Sequence, residues 1–523
     1  MEAATPEFVV SKLHYIDYTI IIVYFVGVFL VGSYFGKYVK TAGDFFTSGK
    51  TLPWWAIGMS IVATDISATD FVATAGAGYR YGISAANFDW IGSMPAMAFA
   101  AFIFIPYYWR ADIYTVPEFL GRRYNGLVQL IHASIWGVFL LVMLAVMLWL
   151  TAKTMNTVLG WNVYFSIWLI VGVTGLYTLS GGLTSVVITD VVQLIIMFVG
   201  GAAVMVLCLW QAGGWNEMQA MTLAKGPEYQ HHYDLLLPHD TATPYPWTGI
   251  IVGLGVVLAT GYMAGNQAIV QRTFGARSEW DAKASMLFAG FLKVFIPVIV
   301  MLPALATVVL IPRVEDVDQA VPTMWRQLLP AGLRGLMFAA LFAALMSTVS
   351  SYLNSAAAIW TSDLYGKVLS MFTRRPISSR HALRVGRIFT AVFVLAGALI
   401  APLMEKQETM YNFIQASLSM FQGPVLAILL LGILWPRTTQ WGALAGLILG
   451  VAFTTILSNV DEVFPSDNPF LFVAAWSFPF CLLVTIGVSL VTPPEPEEKL
   501  RGLTFGQVLR DGEIQRVLHK RAS

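Results

Sequence analysis

The chain has 523 residues, of which 57% are apolar and only 12% are charged, and its formal net charge at pH 7 is +1. Soluble domains carry about 25% charged residues. This chain instead repeats runs of about 20 residues without a fixed charge, long enough to cross a bilayer of roughly 30 Å. A water-soluble fold is therefore excluded, and so is a transmembrane β-barrel, whose strands alternate apolar and polar residues. The small net charge does not indicate nucleic-acid binding, and Cys208 and Cys481 predict neither a disulfide framework nor a metal knuckle.

Hydropathy predicts about 13 transmembrane helices, and hence an all-α polytopic membrane protein. Residues 1–491 are expected to form one transmembrane domain, and residues 492–523 a cytoplasmic tail. The predicted spans are 15–36, 53–78, 83–108, 126–152, 162–179, 185–211, 247–270, 284–311, 335–361, 385–404, 410–435, 440–459 and 468–491.

Lysine and arginine positions predict the orientation of the spans. Most of the 31 basic residues fall in the loops and the tail on one side, and this set includes Arg123 and Arg272. Because cytoplasmic loops are enriched in basic residues, that side is expected to face the cytoplasm. The N-terminus is then outside and the C-terminus inside, as an odd number of spans requires, in a cell inner membrane.

Apart from residues near span ends, such as Asp17, five charged residues stand out within the predicted spans. Lys293 lies in the middle of AGFLKVFIPV, and the aspartates are Asp65, Asp70, Asp89 and Asp190. A lysine at a helix centre costs about 2.5–3.5 kcal/mol on insertion scales, so it needs water or a partner. These charged residues either form independent structural ion pairs or line one shared, hydrated cavity. Five such groups at comparable depth favour the shared cavity.

The second span, WWAIGMSIVATDISATDFVATAGAGYRYG, is polar at its centre. It is either a polar helix packed through small residues, or a helix that unwinds where protein or water satisfies its freed carbonyls. Freed carbonyls and hydroxyls suit a hard cation such as sodium. The ninth span carries Ser347, Thr348, Ser350 and Ser351, and such hydroxyls usually bond their own helix. Beside an unwound segment they become candidate cation ligands.

Four segments resemble the sodium/solute symporter family, and within it the sodium/sugar cotransporter branch. They are GLYTLSGGLTSVVITDVVQ (175–193), NQAIVQRTFGAR (266–277), AALMSTVSSYLNSAAAIWTSDLY in the ninth span, and GILWPRTTQWGALAGLILG (432–450). The resemblance implies a five-plus-five inverted-repeat core with one extra N-terminal helix and extra C-terminal helices. The repeats would cover about 53–211 and 247–435. Their leading helices, spans two and seven, would be broken in mid-membrane.

The resemblance also implies a sodium site between spans two and nine. Its ligands would be the carbonyls of Ala63, Ile66 and Ala344 and the hydroxyls of Ser347 and Thr348. Asp65 is expected near this site, because the proline-transporting branch has an aspartate there that serves sodium binding. Asp190 and Ser350 are expected to form a second sodium site or to line the sodium exit path.

The sugar branch implies a solute pocket formed by Asp70, Asp89, Tyr262, Lys293 and Gln415. Once desolvated, sugar hydroxyls need donors and acceptors, which aspartate, lysine and glutamine supply, while an aromatic ring covers an apolar sugar face. Two residues depart from the branch, since Asp70 stands in place of a histidine or glutamine and Asp65 in place of an asparagine. The pocket is therefore more acidic than is usual for the branch.

We therefore expect sodium-coupled import of a small polar solute by alternating access, with a sugar as the leading candidate. An amino acid, a sialic acid or another organic solute is the alternative. A membrane enzyme is a less favoured alternative, because its candidate acidic motif, Asp316-Val317-Asp318, is typical of a solvated loop. A channel is a further, less favoured alternative. The absence of a Gly-Lys-Ser phosphate loop argues against ATP-driven pumping. The expected partners are the solute, Na⁺ and the lipid bilayer, without nucleic acid.

Overall fold

A computed structural model of the chain describes residues 13–311, 314, 316–373, 378–406, 410–460, 464 and 469–505. Regular structure in these residues is helical, apart from two isolated β-bridges. The helices are α1 (Tyr15–Gly36), α2 (Ala42–Thr47), α3 (Trp54–Asp65), α4 (Asp70–Tyr81), α5 (Ile83–Ile103), α6 (Ile105–Ala111), α7 (Val116–Arg123), α8 (Gly126–Leu159), α9 (Val163–Gly175), α10 (Gly182–Gln211), α11 (Trp215–Leu223), α12 (Gly249–Gly265), α13 (Gln267–Phe274), α14 (Glu279–Lys293), α15 (Ile296–Leu310), α16 (Ala320–Leu328), α17 (Leu333–Thr373), α18 (Ser379–Lys406), α19 (Met410–Leu434), α20 (Gln440–Leu457), α21 (Phe470–Val491) and α22 (Glu497–Leu500).

Nine helical segments in the described ranges are long and apolar enough to cross a membrane, and three bent pairs raise this number to as many as twelve. The bent pairs are α3–α4, α5–α6 and α12–α13. The predicted span 162–179 falls in the first part of the helical stretch Val163–Gln211, before its kink at Gly182. The all-α membrane fold is confirmed, while length and composition do not establish the count of 13.

Helix boundaries follow local capping chemistry. The side chain of Asn125 accepts hydrogen bonds from two backbone N–H groups at the start of α8, and Gly160 ends this helix in the left-handed region with φ 70°. Gly182, with φ 56° and ψ −164°, separates α9 from α10. A Cβ atom there would lie 2.9 Å from the Cα of Phe45, so both backbone angle and close packing require glycine.

Helix α17 lies at the centre of the bundle. Its most apolar stretch is 94% buried, whereas that of α1 is 17% buried. It packs against the helices of Val163–Gln211 and also against α8 and α18. Small residues permit this close packing, since a Cβ on Gly200 would lie 2.9 Å from the Cβ of Ala340. The hydroxyl-rich segment of α17 is therefore held inside protein and away from lipid.

Two of the bent pairs are interrupted by a residue with extended backbone. Ile66 follows α3 with φ −77° and ψ 105°, and Asn266 follows α12 with φ −69° and ψ 111°. The pairs bend by 57° and 52°. An extended residue ends the intrahelical hydrogen-bond ladder, so carbonyls at the ends of α3 and α12 need other partners. The polar centre of the second span is thus a break between two helices.

The first part of the tail packs against the bundle. Lys499 Nζ lies 2.7 Å from Glu495 Oε2 and also donates a hydrogen bond to the carbonyl of Tyr124. Leu500 and Leu503 are buried. The tail predicted at 492–523 therefore begins with a docked segment, and its residues 506–523 lie outside the described residues.

Candidate solute and sodium sites

A cavity of about 120 Å³, lined by charged, aromatic and aliphatic side chains, lies beside the break between α3 and α4. Asp70, Asp89, Tyr262, Lys293 and Gln415, the five residues predicted for the solute pocket, all line it. They come from α4, α5, α12, α14 and α19, so the fold brings together residues far apart in the chain. Asp65, predicted near the sodium site, lines the same cavity.

Lys293 is a buried cation that is paired with two carboxylates. It is the last residue of α14, and the chain becomes helical again at Ile296. Its Nζ lies 2.6 Å from Asp65 Oδ2 and forms a second ion pair with Asp89. Only 4% of the Lys293 side chain and 9% of the Asp65 side chain are exposed. Two partners at hydrogen-bonding distance offset the cost of removing the charges from water.

Asp70 is held by a different set of contacts. Its Oδ2 accepts a hydrogen bond from the backbone N–H of Ser67 at 2.8 Å and from the Ser67 hydroxyl at 3.2 Å. Ser67 lies within the break, so these bonds position the carboxylate at the start of α4 on the cavity wall. Counted formally, the cavity wall carries three aspartates and one lysine.

Aromatic side chains form much of the remaining wall, and sequence reasoning identified only Tyr262. The others are Phe88, Phe139, Tyr352 and Tyr411. The rings of Phe88 and Tyr411 meet edge to face with centroids 5.2 Å apart. The signal for Tyr411 was its position four residues before Gln415, because residues at this spacing share a helix face. Tyr352 could have been found because it directly follows the hydroxyl run.

The predicted sodium ligands lie where the end of α3 meets α17. The Ser347 hydroxyl is 2.7 Å from the carbonyl oxygen of Ala63 and 3.0 Å from that of Ala344. The Thr348 hydroxyl is 3.0 Å from the same Ala344 oxygen. Ile66 is the extended residue directly after α3. Neutral carbonyl and hydroxyl oxygens are the donor type that suits sodium, so the residues present fit this ion.

Asp190 belongs to a neighbouring buried network. Its Oδ2 accepts a hydrogen bond from Ser60 at 2.5 Å and lies 3.3 Å from Arg272 Nη2. Arg272 also donates to the hydroxyls of Ser60 and Ser351. The hydroxyl of Ser350 instead donates to the Ser347 carbonyl at 3.0 Å. The contacts of Asp190 are therefore with Arg272 and Ser60, and the second sodium site remains a prediction.

The placement of Arg272 in a loop was wrong, and Arg123, although it lies between two spans, is buried. Arg272 is 1% exposed in α13, the second half of a broken helix, and Arg123 is fully buried at the end of α7. Arg123 Nε donates to the Gly432 carbonyl at 2.7 Å. Both side chains bond groups from helices distant in sequence, and these partners offset the cost of burying a guanidinium. A charge next to a predicted span is therefore not always a loop charge.

Broken helices around a charged cavity, with helix-end carbonyls facing hydroxyls, define a membrane transporter of the alternating-access class. The model of the "Sodium:solute symporter family" matches residues 45–450. The chain is 32% identical to the sodium/glucose cotransporter of Vibrio parahaemolyticus, over 87% of this chain and 85% of the relative. It is 31% identical to the sodium/myo-inositol cotransporter of Homo sapiens, over 94% and 75%.

A solved structure shares the fold. The substrate-bound, outward-open state of a Na⁺-coupled sialic acid symporter matches with a TM-score of 0.78 at 22% sequence identity, over 92% of this chain and 99% of the other. From the family match and the relatives, the chain belongs to the sodium:solute symporter family. It is a multi-pass membrane symporter with sodium as the coupling ion and not an enzyme.

Proposed function

We propose that this symporter imports a small polyhydroxylated solute, a sugar or a cyclitol, together with sodium. The observation that carries the proposal is the Asp65–Lys293–Asp89 group, which lines one cavity with Gln415 and several aromatic rings. A polyhydroxylated solute needs both donors and acceptors once its water is removed, and aromatic faces cover its apolar surface. Similarity to glucose and myo-inositol cotransporters supports the same solute class.

The two sites would be coupled through the end of α3. Asp65 is the last residue of α3 and pairs with Lys293 in the cavity, while Ala63, two residues earlier, contacts Ser347. Sodium held by Ala63, Ile66, Ala344, Ser347 and Thr348 would order the break and so place Asp65 and Lys293 for the solute. By linkage, the solute would raise the affinity for sodium by the same factor.

The gradient supplies enough free energy for this transport. A potential of 100 mV gives about 2.3 kcal/mol per charge, and a tenfold sodium gradient adds about 1.4 kcal/mol. One sodium ion per cycle could then concentrate a neutral solute roughly 500-fold.

We also propose the five-plus-five arrangement and the orientation. The breaks after Asp65 and Gly265 have nearly the same backbone angles, which supports corresponding leading helices in repeats of about 53–211 and 247–435. Of the spans outside the two repeats, one would precede the core and two would follow it. All of them would belong to one transmembrane domain of residues 1–491. The distribution of basic residues supports an N-terminus outside and a C-terminus in the cytoplasm of a cell inner membrane.

An anionic solute such as a sialic acid fits the cavity less well. Lys293, the lysine among the described wall residues, already contacts two carboxylates, and Asp70 adds a third acidic group. An anion would therefore approach a wall with excess negative charge, which is unfavourable at low dielectric.

The test is uptake of labelled glucose and myo-inositol into proteoliposomes with an imposed sodium gradient. We expect accumulation with sodium outside, little uptake with potassium outside, and loss of uptake when an ionophore dissipates the gradient. Protein-free liposomes are the control for leakage. Equal uptake with sodium and potassium would refute sodium coupling, and accumulation of sialic acid without either neutral solute would refute the solute class.

A further inference from the structure

We propose that the transported solute carries a positively charged amino group, so that its class is an amino sugar or an amino cyclitol. This inference rests on the proposed function and narrows the solute class for the same cavity. Its grounds are the charges on the cavity wall, the Oδ1 oxygen of Asp70, and the aromatic residues that line the same cavity.

The charges on the cavity wall do not balance. Among the described residues that line the cavity, the acidic and basic side chains are Asp65, Asp70, Asp89 and Lys293. Lys293 pairs with Asp65 and Asp89, so one cation already serves two carboxylates. With all four groups ionised, the wall has an excess of two negative charges. Uncompensated charges inside a membrane protein are costly, and a cationic solute would offset one of them.

Asp70 is the carboxylate best placed to contact that cation. Both hydrogen bonds from Ser67 go to Oδ2, which fixes the orientation of the carboxylate. In the described ranges, its Oδ1 is the oxygen left for a ligand, and Asp70 is on the cavity wall. A positioned carboxylate binds an ammonium group through charge-assisted hydrogen bonds, which are stronger than bonds to a neutral hydroxyl.

The aromatic wall adds a second kind of attraction for a cation. Phe88, Tyr262, Tyr352 and Tyr411 line the same cavity as Asp70. Ring faces attract ammonium groups, and they also cover the apolar face of a sugar. Hydroxyls of the same solute would remain for Gln415 and for the Lys293 group. The cavity therefore combines recognition of an ammonium group with recognition of hydroxyls.

The experiment compares glucosamine, glucose and N-acetylglucosamine, which share one ring skeleton and of which only glucosamine carries a charge. Binding is measured by calorimetry on the purified protein in sodium at about pH 6.5, where the amine is protonated. We expect glucosamine to bind about tenfold more tightly than both neutral sugars. In Asp70→Asn the ratio of glucosamine to glucose affinity should fall toward one, whereas Asp318→Asn, outside this cavity, should keep the wild-type ratio.

A second measurement uses the wild-type protein alone and does not depend on how the variant folds. The charge moved per transported molecule is measured for glucose and for glucosamine. Because glucosamine itself carries one positive charge, its import should move one more charge per molecule than the import of glucose. Glucose affinity equal to or above that of glucosamine would overturn the inference, and so would a preference that survives in Asp70→Asn. Sodium-coupled glucose uptake in either case would leave the proposed function intact. Uptake of none of the three sugars would overturn the inference, and uptake of neither these sugars nor myo-inositol would overturn the proposed function as well.

A proton is the other cation that could balance Asp70. In that case neutral sugar uptake would rise as the pH falls, and the current per labelled solute would be the same for glucose and glucosamine. That result would also overturn the inference.

Discussion

Replacing Asp65 by asparagine should weaken the coupling between sodium and solute. Asp65 ends α3, whose last turn contains the predicted sodium ligand Ala63, and its side chain pairs with Lys293 in the solute cavity. Asparagine keeps the size of the side chain and removes its charge. The matched control is Asp89→Asn, because Asp89 also pairs with Lys293 but lies on α5, away from the proposed sodium ligands.

The expected size of the effect follows from the geometry of the pair. The 2.6 Å contact between Asp65 and Lys293 is almost excluded from water, with side-chain exposures of 9% and 4%. Loss of a hydrogen bond between charged groups costs about 1.5–3 kcal/mol, which is roughly 10- to 150-fold in an equilibrium constant. Lys293 keeps Asp89, so the cost stays below the roughly 3–5 kcal/mol of leaving a buried charge without a partner.

The assay measures the solute dissociation constant in sodium and in potassium, and the ratio of the two is the coupling factor. In Asp65→Asn this factor should fall by about tenfold or more. In Asp89→Asn the solute should bind more weakly in both salts, with the coupling factor close to that of the wild type. A wild-type factor in Asp65→Asn, or an equal fall in both variants, would refute coupling through α3.

Two further variants test the proposed sodium site and the packing of the bundle. Ser347→Ala removes a hydroxyl next to the Ala63 carbonyl, and it should raise the sodium concentration for half-maximal uptake by about fivefold or more. Ser417→Ala, whose hydroxyl bonds its own helix, is the control, and equal values for both would remove Ser347 from the site. Gly253→Ala would place a Cβ 2.0 Å from the Leu471 carbonyl oxygen and should lower the melting temperature in detergent, at a cost of about 1–3 kcal/mol. Gly487→Ala has open space around its Cβ and should melt like the wild type; equal melting of both variants would contradict the packing of α12 on α21.

The all-helical membrane fold could be predicted because hydropathy is a local property. A run of apolar residues long enough to cross the bilayer must satisfy its backbone within itself, so each span is visible in its own sequence. The break in the second span was visible for the same reason, since ATDISATD places polar residues where a lipid-facing helix has none. The structure places that break directly after Asp65.

The charged residues of the cavity could be recognised singly, but their partners could not. Lys293 stood out as a lysine within an apolar span, yet nothing near it in the sequence indicates that it would pair with Asp65 and Asp89. Arg272 was taken for a loop residue because it follows the apolar part of its span. Its partners, Ser60 and Asp190, lie on α3 and α10.

The sequence by itself determined that this is a helical membrane protein with ionisable groups in its interior. The cost of placing one charge or one free carbonyl in lipid depends on that residue alone, so it can be estimated without a fold. Only the tertiary structure decided which charges meet, that Asp70 lies outside the Lys293 pairs, and that Tyr352 and Tyr411 complete the wall. These contacts join helices far apart in sequence, and their distances depend on how the helices pack around α17.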